Sequence, residues 1–155
     1  MPDPACGACT RTGTIIEVTT ALLCDHAQVR DGLLFVLSGG ITRIMRDTFP
    51  AAMGTCLALV LEFDSTEIDR PHQLEIVVVG EDGEEVARMD AEVQIDPNTG
   101  ARVAENLQLP IAVDLRLAGL ARPGAYELHV YVDAEHRRTL QFWAEQIAGD
   151  GTLLL

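Results

Sequence analysis

From Tyr126 onward the chain alternates strictly. Tyr126, Leu128, Val130 and Val132 are set against Glu127, His129, Tyr131 and Asp133. A period of two is the mark of a strand with one buried face. Pro123-Gly124 opens this strand with a turn, and after a second polar turn Leu140 and Phe142 define its partner. The same period recurs upstream. Over Thr14–Cys24, Ile16, Val18, Thr20 and Leu22 share one face, and Ile15, Glu17, Thr19 and Ala21 the other. Asp25 to Gly32 reads as a polar connection. A short apolar strand follows over Leu33–Leu37, broken by Ser38-Gly39-Gly40.

Thr55–Phe63 is apolar on both faces, as expected of a central strand covered on two sides. Gln73–Gly80 and its return strand form a hairpin, with Asp82-Gly83 suited to a type I′ turn. Along the return strand Ala87, Met89, Ala91, Val93 and Ile95 point inward. Asp96-Pro97-Asn98-Thr99-Gly100 is a further turn. From Val103 to Leu117 the alternation of Leu107, Leu109, Ile111, Val113, Leu115 and Leu117 predicts another strand. Pro110 lacks an N–H, which places that strand at an edge or a bulge.

No stretch keeps a 3.6-residue period over three turns. About eight short strands punctuated by Gly, Pro, Asn and Asp predict an all-β fold, an antiparallel β-sandwich of immunoglobulin-like or jelly-roll-like type. Leu120 with Gly124-Ala125-Tyr126 resembles the tyrosine corner of immunoglobulin-like and fibronectin-like sandwiches. The Cys…Trp…Cys order of true immunoglobulin domains is absent, because Trp143 follows every cysteine. The expected organisation is a flexible arm over 1–13, a β-sandwich over 14–145 and a short tail over 146–155.

Composition narrows the function classes. With 155 residues the chain suits one domain. The N-terminus has neither a basic nor an apolar signal region, and no apolar run reaches membrane-spanning length. A cytoplasmic protein with reduced thiols is therefore expected. The formal net charge of −13 repels phosphate backbones, so nucleic acid is not an expected partner. All 11 basic residues are arginine. Codon usage in a GC-rich genome explains that, with avoidance of lysine modification as the sharper alternative.

Chemistry-bearing residues are sparse. Cys6 and Cys9 form a single C-x-x-C, and with Cys24 and His26 they make a weak candidate for a zinc site, the main expectation being no metal and no cofactor. Asp25, His26, Arg30 and Asp31 form the densest polar cluster, but no serine or cysteine stands in a recognisable nucleophile elbow. His72, His129 and His136 read as separate solvated side chains, and His136-Arg137-Arg138 as a small basic turn. Tyr131 and Trp143 are the aromatics available for a sugar platform. The irregular 41–54 segment is the strongest candidate for recognition. Its Ile44, Met45, Arg46, Phe49 and Met53 combine the residue types enriched at interface cores.

Taken together, Thr20-Ala-Leu-Leu-Cys-Asp-His-Ala27, Asp31-Gly32-Leu-Leu-Phe-Val-Leu-Ser-Gly-Gly40, Phe49-Pro50 and Pro123-Gly124-Ala-Tyr126 with Val130-Tyr131-Val132-Asp133 resemble, over roughly residues 18–143, a family of small all-β bacterial proteins of unknown function, mostly from high-GC genomes. The resemblance implies a fold and no activity. The expected function is a non-enzymatic interaction module, binding a protein partner or further copies of itself in a larger bacterial assembly. The alternatives are a small-ligand or carbohydrate-binding module, or a zinc-binding accessory protein of an enzyme system.

Overall fold

The computed structural model describes residues 16–96 and 106–151. The N-terminal arm, Cys6, Cys9, the Pro97–Gly100 turn and the last four residues lie outside them. Among the described residues the chain is nearly all β, with one short 3-10 turn at Ser65–Glu67. Twelve strands form four sheets rather than the expected eight.

Three strands make one sheet in the order β1–β6–β9: β1 (Ile16–Cys24), β6 (Cys56–Phe63) and β9 (Leu107–Asp114). A five-stranded sheet runs β4 (Arg43–Arg46), β12 (Glu135–Gln146), β11 (Gly124–Val132), β7 (His72–Gly80) and β8 (Glu85–Val93). All its neighbours are antiparallel except β4, which lies parallel to β12. Two small pairs complete the fold. β5 (Ala51–Ala52) pairs with β10 (Gly119–Leu120), and β2 (His26–Arg30) pairs with β3 (Leu33–Leu37).

One apolar cluster joins the two larger sheets. Ile16, Leu23, Leu57, Leu59, Leu61 and Phe63 come from the three-stranded sheet, and Leu74, Ile76, Val78, Tyr126, Leu128, Val130, Val132 and Phe142 from the other. Apolar area removed from water stabilises by about 25 cal/mol per Å², so this contact dominates the stability of the fold. A second, smaller cluster lies on the opposite face of β6. There Cys24, Ala27, Cys56 and Ala58 are buried, with Leu22, Leu34 and Ala112 packed around them. These small side chains let the β2–β3 hairpin sit close against the back of the sheet. The expected two-sided burial of β6 is thus present.

Several local expectations are corrected. In β1 the alternation does not run through. Val18 lies opposite Leu61 and Thr20 opposite Val60, so Thr19 is an extra, bulged residue. One inserted residue reverses every face beyond it. Ile16 and Val18 point into the main core, but so do Ala21 and Leu23, while Leu22 turns to the small cluster.

The polar stretch after Cys24 is a strand rather than a connection. Asp31 and Gly32 both take positive φ, 51° and 73°, the requirement of a tight type I′ hairpin. The Glu81–Glu84 turn is not type I′. Only Gly83 has positive φ there, Gly83 N–H donates to Gly80 O, and Gly80 N–H donates to Glu84 O. That is a type I turn closed by a glycine bulge. The strand after residue 103 ends at Asp114, whose carboxylate accepts from the Arg116 N–H, so Leu117 sits in a turn, almost fully exposed. Pro110 lies on β9, the outer strand of its sheet, as its missing N–H requires. β12 continues through Gln146, the first residue of the expected tail.

The tyrosine-corner geometry is present. The Tyr126 hydroxyl donates to the Arg122 carbonyl at 2.6 Å, and the ring stacks on Phe142 at 5.4 Å.

Candidate functional site

Among the described residues the β2–β3 hairpin presents the largest concentration of exposed apolar side chains. Residues directly opposite in an antiparallel pair share a face. The pairs His26–Leu37, Gln28–Phe35 and Arg30–Leu33 therefore form the outer face, and Ala27–Val36 and Val29–Leu34 the inner one. Leu33 and Leu37 are each 63% exposed and Phe35 49%. Val29 and Val36 are also exposed. Among the described residues neither outer edge of the hairpin has a strand paired to it.

The 41–54 segment splits under the same scrutiny. Ile44 and Met53 are buried in the main core and Phe49 packs against it. Apolar residues in an irregular stretch here complete the core rather than offer contacts. The Arg46 guanidinium donates to the carbonyls of Met45, Ala52 and Met53, so it clamps its own loop. That leaves Met45, 52% exposed, on the face that also carries the exposed Trp143. Arg43 and Glu145 form an ion pair beside them.

Of the four zinc candidates, Cys6 and Cys9 lie outside the described residues, and Cys24 and His26 are placed apart. Cys24 is buried, while His26 begins the next strand on its exposed face. The partner of Cys24 is Cys56, directly across the sheet, and the Cys24 thiol donates weakly to the Cys56 carbonyl. Burial, then the neighbouring Cys56, raise the pKa of the Cys24 thiol. Both thiols are free. Among the described residues no group of three or more His, Cys, Asp and Glu side chains is placed to hold a metal.

The histidines are placed very differently from the expectation of scattered, solvated rings. His72 is buried at 1% exposure. Its Nδ1 meets Asp133 Oδ2 at 2.7 Å and its Nε2 meets the Glu67 carbonyl at 2.7 Å. Asp133 also accepts from the Gln73 N–H, and Arg70 bonds the Glu67 carboxylate. This network pins the β11–β12 turn and the 3-10 turn to the start of β7.

His129 and His136 meet on the outer face of the β11–β12 hairpin. His129 Nδ1 lies 3.3 Å from His136 Nε2. The Thr139 hydroxyl lies 3.0 Å from the first and 2.8 Å from the second. Glu127 Oε2 lies 3.1 Å from His129 Nε2, and the Tyr131 ring stands edge-on to His136. A register shift creates this group. His129 opposes Thr139, but Tyr131 opposes His136, so Arg137 is an extra residue in β12. Unbroken alternation would put residues 136 and 139 on opposite faces. Tyr131 and Trp143 do not form a sugar platform. Trp143 opposes Ala125, six residues and about 20 Å of strand from Tyr131.

Among the described residues these features define an all-β protein that presents an exposed apolar hairpin and a surface histidine pair. The chain belongs to the Family of unknown function (DUF6941), whose model matches residues 19–145. No curated protein matches it. A solved structure, Pseudomonas fluorescens alkylpurine DNA glycosylase AlkC bound to DNA containing an abasic site analog, aligns with a TM-score of 0.42 at 10% identity. That alignment covers 85% of this chain and 31% of the glycosylase, so the chain spans under a third of that protein. A likeness so remote carries no argument. No helix among the described residues is long and apolar enough to cross a membrane.

Proposed function

We propose that this protein acts by binding another protein rather than by catalysis, and that the β2–β3 hairpin is the contact. The observation that carries the reading is the outer row Leu33, Phe35 and Leu37, held out to solvent while the same hairpin buries Ala27 against the small core. Exposed apolar clusters of this kind mark interaction sites. A hairpin with unpaired edges can also receive a strand from a partner, which adds main-chain hydrogen bonds to side-chain burial. Arg30 and His26 flank the row on one side.

The partner is a different protein rather than a second copy. Two bodies of net charge −13 repel each other at long range, whereas a partner with a basic rim is attracted. The cytoplasmic, non-enzymatic subunit expected from composition is the setting that fits this surface best.

A photo-crosslinking amino acid at Phe35, introduced in the native host, tests the reading. The expected result is one dominant adduct at stoichiometric yield, lost when Leu33→Glu and Leu37→Glu are added. Sedimentation of the purified chain is expected to show a monomer. Absence of any dominant adduct would overturn the proposal, and an adduct with another copy of this chain would overturn the choice of partner.

A further inference from the structure

A second exposed cluster lies on the β11–β12 hairpin. We propose that His129, His136 and Thr139 form a surface binding site for a divalent first-row transition ion of the kind that prefers imidazole, such as Zn²⁺. Three side-chain donors face one another in a triangle with edges of 2.8, 3.0 and 3.3 Å. A tetrahedral zinc with 2.0–2.1 Å bonds to nitrogen holds two ligand nitrogens about 3.3 Å apart. The two imidazole nitrogens already stand at that separation.

Proton positions agree with the geometry. The Glu127 carboxylate, 3.1 Å from Nε2, favours the His129 proton on that nitrogen. The lone pair of neutral His129 then lies on Nδ1, the atom facing His136 and Thr139. A histidine that binds metal through one nitrogen and donates from the other to a carboxylate is the usual support of a metal ligand. Glu127 supplies that support from its own strand, two residues before His129. Glu75, opposite Tyr131 on β7, adds a further carboxylate near the group, shared with Arg88.

The placement is built by the bulge at Arg137, which brings His136 onto the face of His129 and Thr139. All three ligands lie on one hairpin, so the site forms with the strand pairing and needs no further ordering. Two imidazoles and a neutral hydroxyl leave the outer coordination positions to water or to a donor from another molecule. Soft and imidazole-preferring ions fit this set, and Mg²⁺, which demands oxygen ligands, does not. The site is independent of the proposed protein-binding hairpin, and each can fail alone.

Imidazole resonances of the full chain, recorded by two-dimensional NMR during titration with Zn²⁺, read each histidine separately. A background carrying Cys6→Ser and Cys9→Ser removes competition from the C-x-x-C. The expected result is joint saturation of His129 and His136 at one equivalent, with His72 unmoved and Mg²⁺ without effect. Glu127→Gln is expected to weaken binding about tenfold, on the scale of lost second-shell support. His136→Ala is expected to weaken it more, with an unchanged melting temperature of the metal-free protein showing that the fold survives. Independent, non-saturating shifts of the two rings would overturn the site, as would a His136→Ala variant that binds Zn²⁺ as tightly as its parent.

Discussion

His72 shows how much a single side chain can hold together. Its Nε2 faces a backbone carbonyl, which only accepts, so that nitrogen carries a proton. Its Nδ1 faces the Asp133 carboxylate, so the ring and the acid share a second proton or an ion pair. Replacing the ring by alanine removes both bonds, leaves a cavity beside Phe63 and exposes Asp133 to a partly dry site. His72→Ala is therefore expected to lower the free energy of unfolding by about 3 kcal/mol, combining cavity and hydrogen-bond losses. Urea denaturation measures it, and a loss under about 1 kcal/mol would contradict the structural role. Tyr126→Phe is a milder change. It deletes one hydroxyl bond to Arg122 and keeps the stack on Phe142, so a loss of about 1 kcal/mol is expected by the same measurement.

At the scale of elements, the β2–β3 hairpin predicts opposite outcomes on its two faces. Leu37→Glu adds charge to a side chain already in water, and the melting temperature is expected to stay within about 2 °C of the parent. Ala27→Glu forces a carboxylate among Cys24, Cys56 and Ala58, and is expected to detach the hairpin or unfold the chain. Thermal melts followed by circular dichroism compare the two. Equal effects would contradict the division into a wet and a buried face, and reversed effects would mean that the faces are assigned the wrong way round.

This hairpin also marks where pattern reading stops. Strands with one wet face and uniform pleat, such as β11, were legible residue by residue, because alternation maps directly onto burial. So was the tyrosine corner, whose spacing is local. Bulges are not legible this way. Thr19 and Arg137 each shift the register by one residue, and nothing in the alternation marks them. The histidine group was hidden for that reason. The 41–54 segment misled for another. Its Ile44 and Met53 resemble contact residues only until the core they complete is known. The exposed row Leu33, Phe35 and Leu37 carries the opposite error, since an apolar run by itself implies burial.

At the scale of the whole molecule, charge sets the response to salt and pH. The chain holds 24 acidic and 11 basic residues, so even with every arginine paired, 13 negative charges remain in excess. Exposed ion pairs such as Arg116–Asp114 and Arg122–Asp82 contribute little, and salt weakens them. Repulsion among the excess charges is weakened by salt as well, and it acts over the whole surface. The second effect is the larger, so raising NaCl at pH 7 is expected to raise the melting temperature. Near the sequence pI of about 4.5 the excess vanishes and the salt effect should vanish or reverse. Further acid acts through individual carboxyls. Hydrogen bonds from the Arg116 side chain, then its backbone N–H, hold Asp114 at a pKa of about 2. Bonds from Arg122 and Glu84 lower Asp82, and Arg88 lowers Glu85. A carboxyl whose folded pKa is lowered stabilises the fold above its unfolded pKa, about 3.9 for Asp, and loses that contribution as pH falls through the folded value. Stability is therefore expected to decline between about pH 4 and pH 2, and Asp114→Asn to make that decline shallower. Melting temperatures across pH and NaCl test both parts. A melting temperature at pH 7 that falls with added salt would show that the ion pairs, not the excess charge, govern this surface.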